Sequence, residues 1–315
     1  MKITILDSTT LGKDLDLSPI IELGETTVYP LTMQNQVVER ICDSDILVLN
    51  KVKLNSGNLP YAKKLKLICI TATGFDNVDT DYCKKNGIAV CNIEGYSTDS
   101  VVQLTMAMAF ALCTNLFSFN EFVKSGEYTK SGIFNRLEPV FSQMSNMTWG
   151  VVGLGNIGTK VAKIARSIGC RVLAYKRTQS HEFECTDIDT LCRESDIISL
   201  HVPLNESTKH LIDERRLGLM KSTAVLINVA RGDVVDEQAV VRAVEECKIG
   251  GLGVDVYSEE PMKKDSPYTK ILNYDNTMFT PHMAWGAIDA RQKCVYEVSE
   301  NIKSFLSGGK RSRIV

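Results

Sequence analysis

Trp149-Gly150-Val151-Val152-Gly153-Leu154-Gly155-Asn156-Ile157-Gly158 is the stretch whose reading decides the fold. The uncharged run before Gly153 has the length and apolarity of a buried strand. The segment leaving Gly158, TKVAKIARSIG, spaces Val161, Ile164 and Ala165 as an amphipathic helix does. Between them lies G-x-G-x-x-G, and each glycine has a physical task. Gly153 permits a tight turn, Gly155 lets the backbone approach a pyrophosphate, and Gly158 lets helix pack on strand. The N-terminus of the helix offers unpaired N–H groups to phosphate oxygens, with Asn156 and Ile157 in its first turn.

Outward from this motif, short β-branched runs alternate with helical stretches in both directions, the pattern of parallel sheets covered by helices. Before it, strands are expected at Ile3–Leu6, Thr26–Val28, Ile46–Leu49, Leu67–Thr71 and Ala89–Asn92. After it, they are expected at Arg171–Ala174, Ile197–His201, Ala224–Asn228, Gly253–Val256 and Met278–Thr280. One long helix from about Asp99 to Lys124 is expected between the two series, and a final one from about Ala287 to Leu306. With 315 residues, two domains follow. The composition, 44% apolar and 23% charged with a net charge of −2, supplies no basic face for nucleic acid or anionic membrane. Val101 to Phe117, the longest apolar stretch, carries Gln103, Thr105, Thr114 and Asn115 and suits a buried helix better than a membrane span. The chain enters a strand pattern at once, so no signal peptide is expected. Ten scattered cysteines without a C-x-x-C pair read as reduced core thiols of a cytoplasmic protein, and no metal site is expected.

In folds of this kind, ligands lie beyond the C-terminal ends of the strands. Three segments there carry acid–base chemistry: Arg231 in NVARGD, Asp255 and Glu260 in DVYSEEP, and His282 in TPHMAW. Reducing a carbonyl next to a carboxylate requires a proton donor and a charge clamp. Histidine exchanges a proton near neutral pH, and arginine presents a planar fork to a carboxylate. A carboxylate beside such a histidine stabilises the imidazolium. His201, at the end of IISLH before Val202-Pro203, flanks the adenosine half of a dinucleotide or serves the structure, while His181 and His210 read as surface residues. Users of NAD carry an acid on the strand after the glycines, about 20 residues on, to hold the ribose hydroxyl. Here the positions are Lys176 and Arg177, which either pair with the 2′-phosphate of NADP or face solvent.

The ordered set GLGNIG, HVPL, NVARGDVVDE, GVDVYSEEP and TPHMAW resembles the D-isomer-specific 2-hydroxyacid dehydrogenase family over essentially the whole chain. The resemblance implies two flavodoxin/Rossmann-like α/β domains with parallel sheets and an active site in the cleft between them. Residues 1–98 plus 287–315 would form a discontinuous substrate-binding domain. Residues 99–286 would bind NAD or NADP and include a helix near 100–124 that builds a homodimer. By position, Arg231 orients the substrate, His282 is the acid/base and Glu260 its partner. Asp255 would hold the nicotinamide carboxamide, and Asn156, Ile157 and Thr208 would lie near the pyrophosphate. Val229, Ala230 and Ala284, beside these strand ends, join Gly153, Gly155, Gly158, Lys176, Arg177, His201, Val202, Pro203 and His282 as expected cofactor contacts. Thr73 and Gly74 match the loop whose N–H groups hold the substrate carboxylate.

ATGFDNVD, EGYSTDSVVQ and PHMAW look most like the glycerate dehydrogenase (hydroxypyruvate reductase) group. Lys176 departs from the acid of NAD users, and Gln103 from the Glu of many members. The expectation is therefore an oxidoreductase passing a hydride between NAD(P)H and hydroxypyruvate or glyoxylate, with Lys51 as a candidate donor to the substrate hydroxyl. Two alternatives stand beside it. A 3-phosphoglycerate dehydrogenase-like enzyme without a regulatory domain would want more cations than Lys51 alone. A dinucleotide-sensing corepressor on the same fold would want a partner-binding surface.

Overall fold

The computed structural model describes residues 1–177 and 180–315. The chain divides into two compact units, Met1–Ser97 with Gly286–Val315, and Thr98–Trp285. In the first unit, β1 (Lys2–Ile5), β2 (Glu25–Val28), β3 (Ile46–Leu49), β4 (Leu67–Ile70) and β5 (Ala89–Cys91) form a sheet of order β2-β1-β3-β4-β5. Every pairing is parallel. This is the flavodoxin-like order. β3 and β4 are buried at every position, which is why they read as the unbroken apolar runs ILVL and LICI rather than as alternating ones. The helix Ile288–Leu306 belongs to this unit. It buries Cys294, Val295, Val298 and Ile302, and Asn301 donates to the Asn92 carbonyl at 3.1 Å. Arg291 near its start makes a two-pronged pair with Asp14 at 2.7 and 2.8 Å.

The second unit holds β6 (Thr148–Val152), β7 (Arg171–Tyr175), β8 (Glu184–Cys185), β9 (Ile197–Leu200), β10 (Val225–Asn228), β11 (Gly251–Val254) and β12 (Thr277–Phe279). Their order is β12-β11-β10-β9-β6-β7-β8, again all parallel. The chain starts centrally at β6, winds outward through β7 and β8, then returns to β9 on the other side. This leaves a topological switch point between β6 and β9, where Rossmann-type folds bind ligands. The fully buried Trp149 anchors this core, its indole N–H donating to Ser199 Oγ at 2.9 Å. The helix Thr98–Cys113 approaches β11 closely because Gly253 has no side chain: a Cβ there would lie 3.1 Å from Met108 Sδ and 3.4 Å from Leu112 Cδ1.

One expectation is corrected and one element is added. The single helix expected over 99–124 is two helices, Thr98–Cys113 and Leu116–Lys124, meeting at 67°. Asn115 stands between them in the left-handed region at φ 52°, a conformation that asparagine tolerates better than most residues. The two-residue strand β8 was not anticipated, being too short to show a period. Strand ends elsewhere differ from expectation by a residue or two. All ten cysteines are free; Cys42 and Cys247 are exposed, Cys185 is half-buried, and the others are buried.

Candidate active site

The glycine motif opens the helix Asn156–Ser167 directly after β6. Gly153 has φ 97°, and a Cβ on it would lie 2.7 Å from the His201 carbonyl oxygen, so the turn is pressed against the end of β9 at the switch point. A Cβ on Gly158 would lie 1.8 Å from the Gly153 carbonyl, the close helix–strand approach anticipated for the third glycine. Gly155 meets nothing within 4 Å. Its open side and the exposed Asn156 leave the helix N-terminus accessible to a phosphate. This cradle fits the pyrophosphate of a dinucleotide. Lys176 and Arg177 are exposed just beyond β7, whose last carbonyl, on Tyr175, accepts the Gly153 N–H at 2.9 Å. Val202 is half-buried and Pro203 exposed beside the turn.

The candidate acid–base residues come from three adjacent strand ends. Arg231 follows β10, Asp255 and Glu260 follow β11, and His282 follows β12. His282 Nδ1 and Glu260 Oε2 are 2.7 Å apart, with side chains 22% and 30% exposed, so the pair is reachable yet partly shielded. His282 itself is held at φ 50°, in a region that costs energy unless its surroundings enforce it. Asp255 supplies that enforcement. It is fully buried, and its carboxylate accepts the Thr280 hydroxyl at 2.5 Å, the Met283 N–H at 2.8 Å and the Ala284 N–H at 3.0 Å. Burial pushes the Asp255 carboxyl up from its ordinary value, against the pull of these donors. The Trp285 indole N–H closes the turn on the His282 carbonyl at 2.8 Å.

Arg231 is set by the end of its own strand: Asn228 Nδ2 donates to the Arg231 carbonyl at 2.9 Å, and Asn228 Oδ1 accepts the Ala230 N–H at 3.1 Å. Val229 and Ala230 are buried at this strand end, and Ala284 in the turn beyond β12. The 3-10 turn Gly232–Val234 then lies against the backbone of Tyr257 and Ser258, in the loop that leads to Glu260. The Tyr257 hydroxyl donates to the Thr280 carbonyl at 2.9 Å and so joins the Glu260 loop to the His282 turn. Burial, reinforced by the Asp255 and Glu260 charges, pushes the Tyr257 phenol up to about 12, so it acts as a neutral donor. Tyr257, Thr280 and Asn228 were not anticipated as site residues, although each lies inside one of the three motifs.

Two further residues have hydroxyl or ring groups committed internally. Thr208 Oγ1 donates to the Pro203 carbonyl at 2.6 Å and accepts the Asn205 N–H at 2.8 Å, shaping the turn after β9. His201 Nε2 lies 2.9 Å from the same Ser199 hydroxyl that Trp149 donates to, and burial pushes the ring down to about 3, so it is neutral. Lys51, Thr73 and Gly74 lie in the first unit. Lys51 follows β3, and Thr73 and Gly74 follow the neighbouring β4. Asp7 accepts the N–H groups of Asn50 and Lys51 at 2.9 and 2.6 Å, and Asn77 donates to the Asn50 and Val52 carbonyls, tying the two strand ends together. The Thr73 hydroxyl is turned onto the Ile93 carbonyl at 2.7 Å.

The sequence model for "D-isomer specific 2-hydroxyacid dehydrogenase, NAD binding domain" matches residues 106–284. The chain is 32% identical to a hydroxypyruvate reductase of Blautia hydrogenotrophica over 98% of both chains. It is 35% identical to a glycerate dehydrogenase of Methylorubrum extorquens over 87% of this chain and 86% of that one. Among solved structures, an acyclic imino acid reductase in complex with NADPH and D-Arg superposes with a TM-score of 0.88, at 30% identity and full coverage of both chains.

Proposed function

The chain belongs to the D-isomer-specific 2-hydroxyacid dehydrogenase family, and from that premise we propose that it is a hydroxypyruvate and glyoxylate reductase. One observation carries the reading: a histidine–carboxylate pair at 2.7 Å, with an arginine on the adjoining strand end, all in the unit that bears the dinucleotide cradle. NAD(P)H, when bound at Gly153–Gly158, supplies the hydride. The chain supplies the remainder. Glu260 holds Nδ1 of His282, and Nε2 is assigned to hand a proton to the oxo oxygen. Arg231 presents two parallel N–H groups to the substrate carboxylate. Asp255 keeps the His282 turn in its strained conformation and is assigned the nicotinamide carboxamide. Thr73 and Gly74 are assigned the carboxylate, and Lys51 the C3 hydroxyl. That assignment draws support from the shared strand-end position of β3 and β4.

NADPH is the proposed preference, supported by the exposed cations Lys176 and Arg177 where an acid would serve NADH. A second copy of the chain is the proposed partner, neither nucleic acid nor a membrane. The exposed apolar side chains Leu116, Phe117, Val123, Phe134 and Leu137 support that pairing. A cytoplasmic location completes the reading, supported by ten free thiols.

An initial-rate matrix of hydroxypyruvate, glyoxylate, pyruvate and 2-oxoisocaproate against NADH and NADPH tests it. Hydroxypyruvate should lead in kcat/KM, with glyoxylate second. A site built to bond a hydroxyl leaves its own donor unpaired when the substrate lacks one, which penalises pyruvate. A higher kcat/KM for pyruvate or 2-oxoisocaproate would overturn the substrate assignment and leave the reaction class standing.

A further inference from the structure

The helix Glu237–Glu245 begins two residues after the turn that follows Arg231 and the 3-10 segment. A glutamate in a first helical turn normally faces water and complements the helix dipole from the surface. Glu237 does not: it is 9% exposed. It does not cap the helix either, because Asp236 does so by accepting the Ala239 N–H at 3.1 Å. Its carboxylate turns inward, and Oε1 accepts the Ser258 N–H at 2.7 Å. Ser258 stands two residues before Glu260. Bonds from an N–H to a carboxylate are short and about twice as strong as neutral ones, so this contact fixes the loop firmly.

The loop is therefore held from three directions. Glu237 holds it from the helix side, and the Tyr257 hydroxyl holds it to the Thr280 carbonyl at 2.9 Å. Within the loop, the Tyr257 N–H donates to Glu260 Oε1 at 3.2 Å, while Oε2 of the same carboxylate meets His282. The buried carboxylate thus sits one hydrogen bond behind the backbone that aims Glu260.

We propose that Glu237 is a positioning residue of the reaction, holding the 257–260 loop so that Glu260 stays on His282. The proposal rests on the reading of His282 and Glu260 as the acid–base pair. Glu237 touches no reacting atom and acts through the loop that carries Glu260, which makes its effect separable from a general loss of structure.

The test is a double-mutant cycle in the full chain, with hydroxypyruvate reduction, cofactor KM and thermal unfolding measured for each variant. Glu237→Met keeps length and helix propensity but removes the acceptor. It should lower kcat roughly 10- to 100-fold, the scale of a 1 Å misplacement, with cofactor KM unchanged. Glu237→Gln keeps an oxygen for the Ser258 N–H and should restore kcat to within about fivefold of the parent. On a Glu260→Ala background, Glu237→Met should cost less than about twofold further, because coupled residues are not additive. Should Glu237→Met fail to fold, Glu237→Ala carries the same expectations. If Glu260→Ala alone leaves kcat unchanged, the acid–base reading falls and the proposal with it. If Glu260→Ala lowers kcat while the Glu237 effect is absent or simply multiplies with it, the positioning role is overturned and the acid–base reading survives.

Discussion

Gly232→Ala adds one methyl group, and the structure says what it would strike. The new Cβ would stand 2.0 Å from the carbonyl carbon of Tyr257, 2.1 Å from Ser258 N and 2.4 Å from Tyr257 O. All three are backbone atoms, so no side-chain rotation relieves the clash. Ordinary contact for a Cβ begins near 3.4 Å, and the turn after Arg231 and the loop before Glu260 must part by roughly 1.4 Å. Arg231 lies on one side of that seam and Glu260 on the other. A shift of that size at a reacting constellation costs on the order of 100-fold, and overpacking of this kind costs about 1–3 kcal/mol of stability. Initial rates with hydroxypyruvate should show kcat/KM down about 100-fold and Tm down by several degrees. Cofactor affinity, followed by quenching of nicotinamide fluorescence, should fall much less than turnover, because the phosphate cradle sits at β6 and only the nicotinamide contacts lie at this flank. A variant with parental Tm and kcat/KM would refute the packing argument. Equal losses of cofactor affinity and turnover would refute the claim that the damage is local.

Lys176→Asp should raise the ratio of the NADPH to the NADH dissociation constant by about tenfold, the effect of about 1.4 kcal/mol of lost attraction to a 2′-phosphate. An unchanged ratio would show that both cations serve only solvent. Stability toward acid carries a signature of His201. Its folded value of about 3 lies below the ordinary 6.5, so between those limits the unfolded chain binds a proton that the folded chain refuses. Stability therefore falls as pH drops through that window, by up to about 1.4 kcal/mol per pH unit from this one group. Urea midpoints at pH 7 and pH 4.5 should lie closer together in His201→Gln than in the parent, and equal separations would contradict the buried-neutral ring.

The alternation of strands and helices follows from features that sequence displays well. A glycine triplet between an apolar run and an amphipathic helix admits few conformations, and Gly153 and Gly158 adopt the tight turn and the close packing it implies. Arg231, Glu260 and His282 were legible as a set because each follows an apolar run, and parallel strands deliver such positions to one edge. Other features had no local signal. The apolar pattern resumes at Leu116 and Phe117 directly after Thr114 and Asn115, so nothing in it reports that Asn115 turns left-handed and breaks the helix. The three hydrogen bonds from the His282 turn to Asp255 had no such signal, because they join residues 25 or more positions apart. Nothing in the sequence singles out Glu237, since its burial depends on a loop that arrives only after β11.

The distribution of thiols gives the chain a built-in labelling scheme. Cys42 lies in the first unit and Cys247 in the second, and these are the two exposed cysteines among the ten. Burial pushes Cys113, Cys192 and Cys294 up to about 12, where little reactive thiolate exists near neutral pH. A maleimide dye pair would therefore settle preferentially at one natural position on each unit, without an engineered cysteine. Energy transfer between the dyes could then be compared with and without NAD(P)H, in a protein whose Arg231, Glu260 and His282 had all been left as they are.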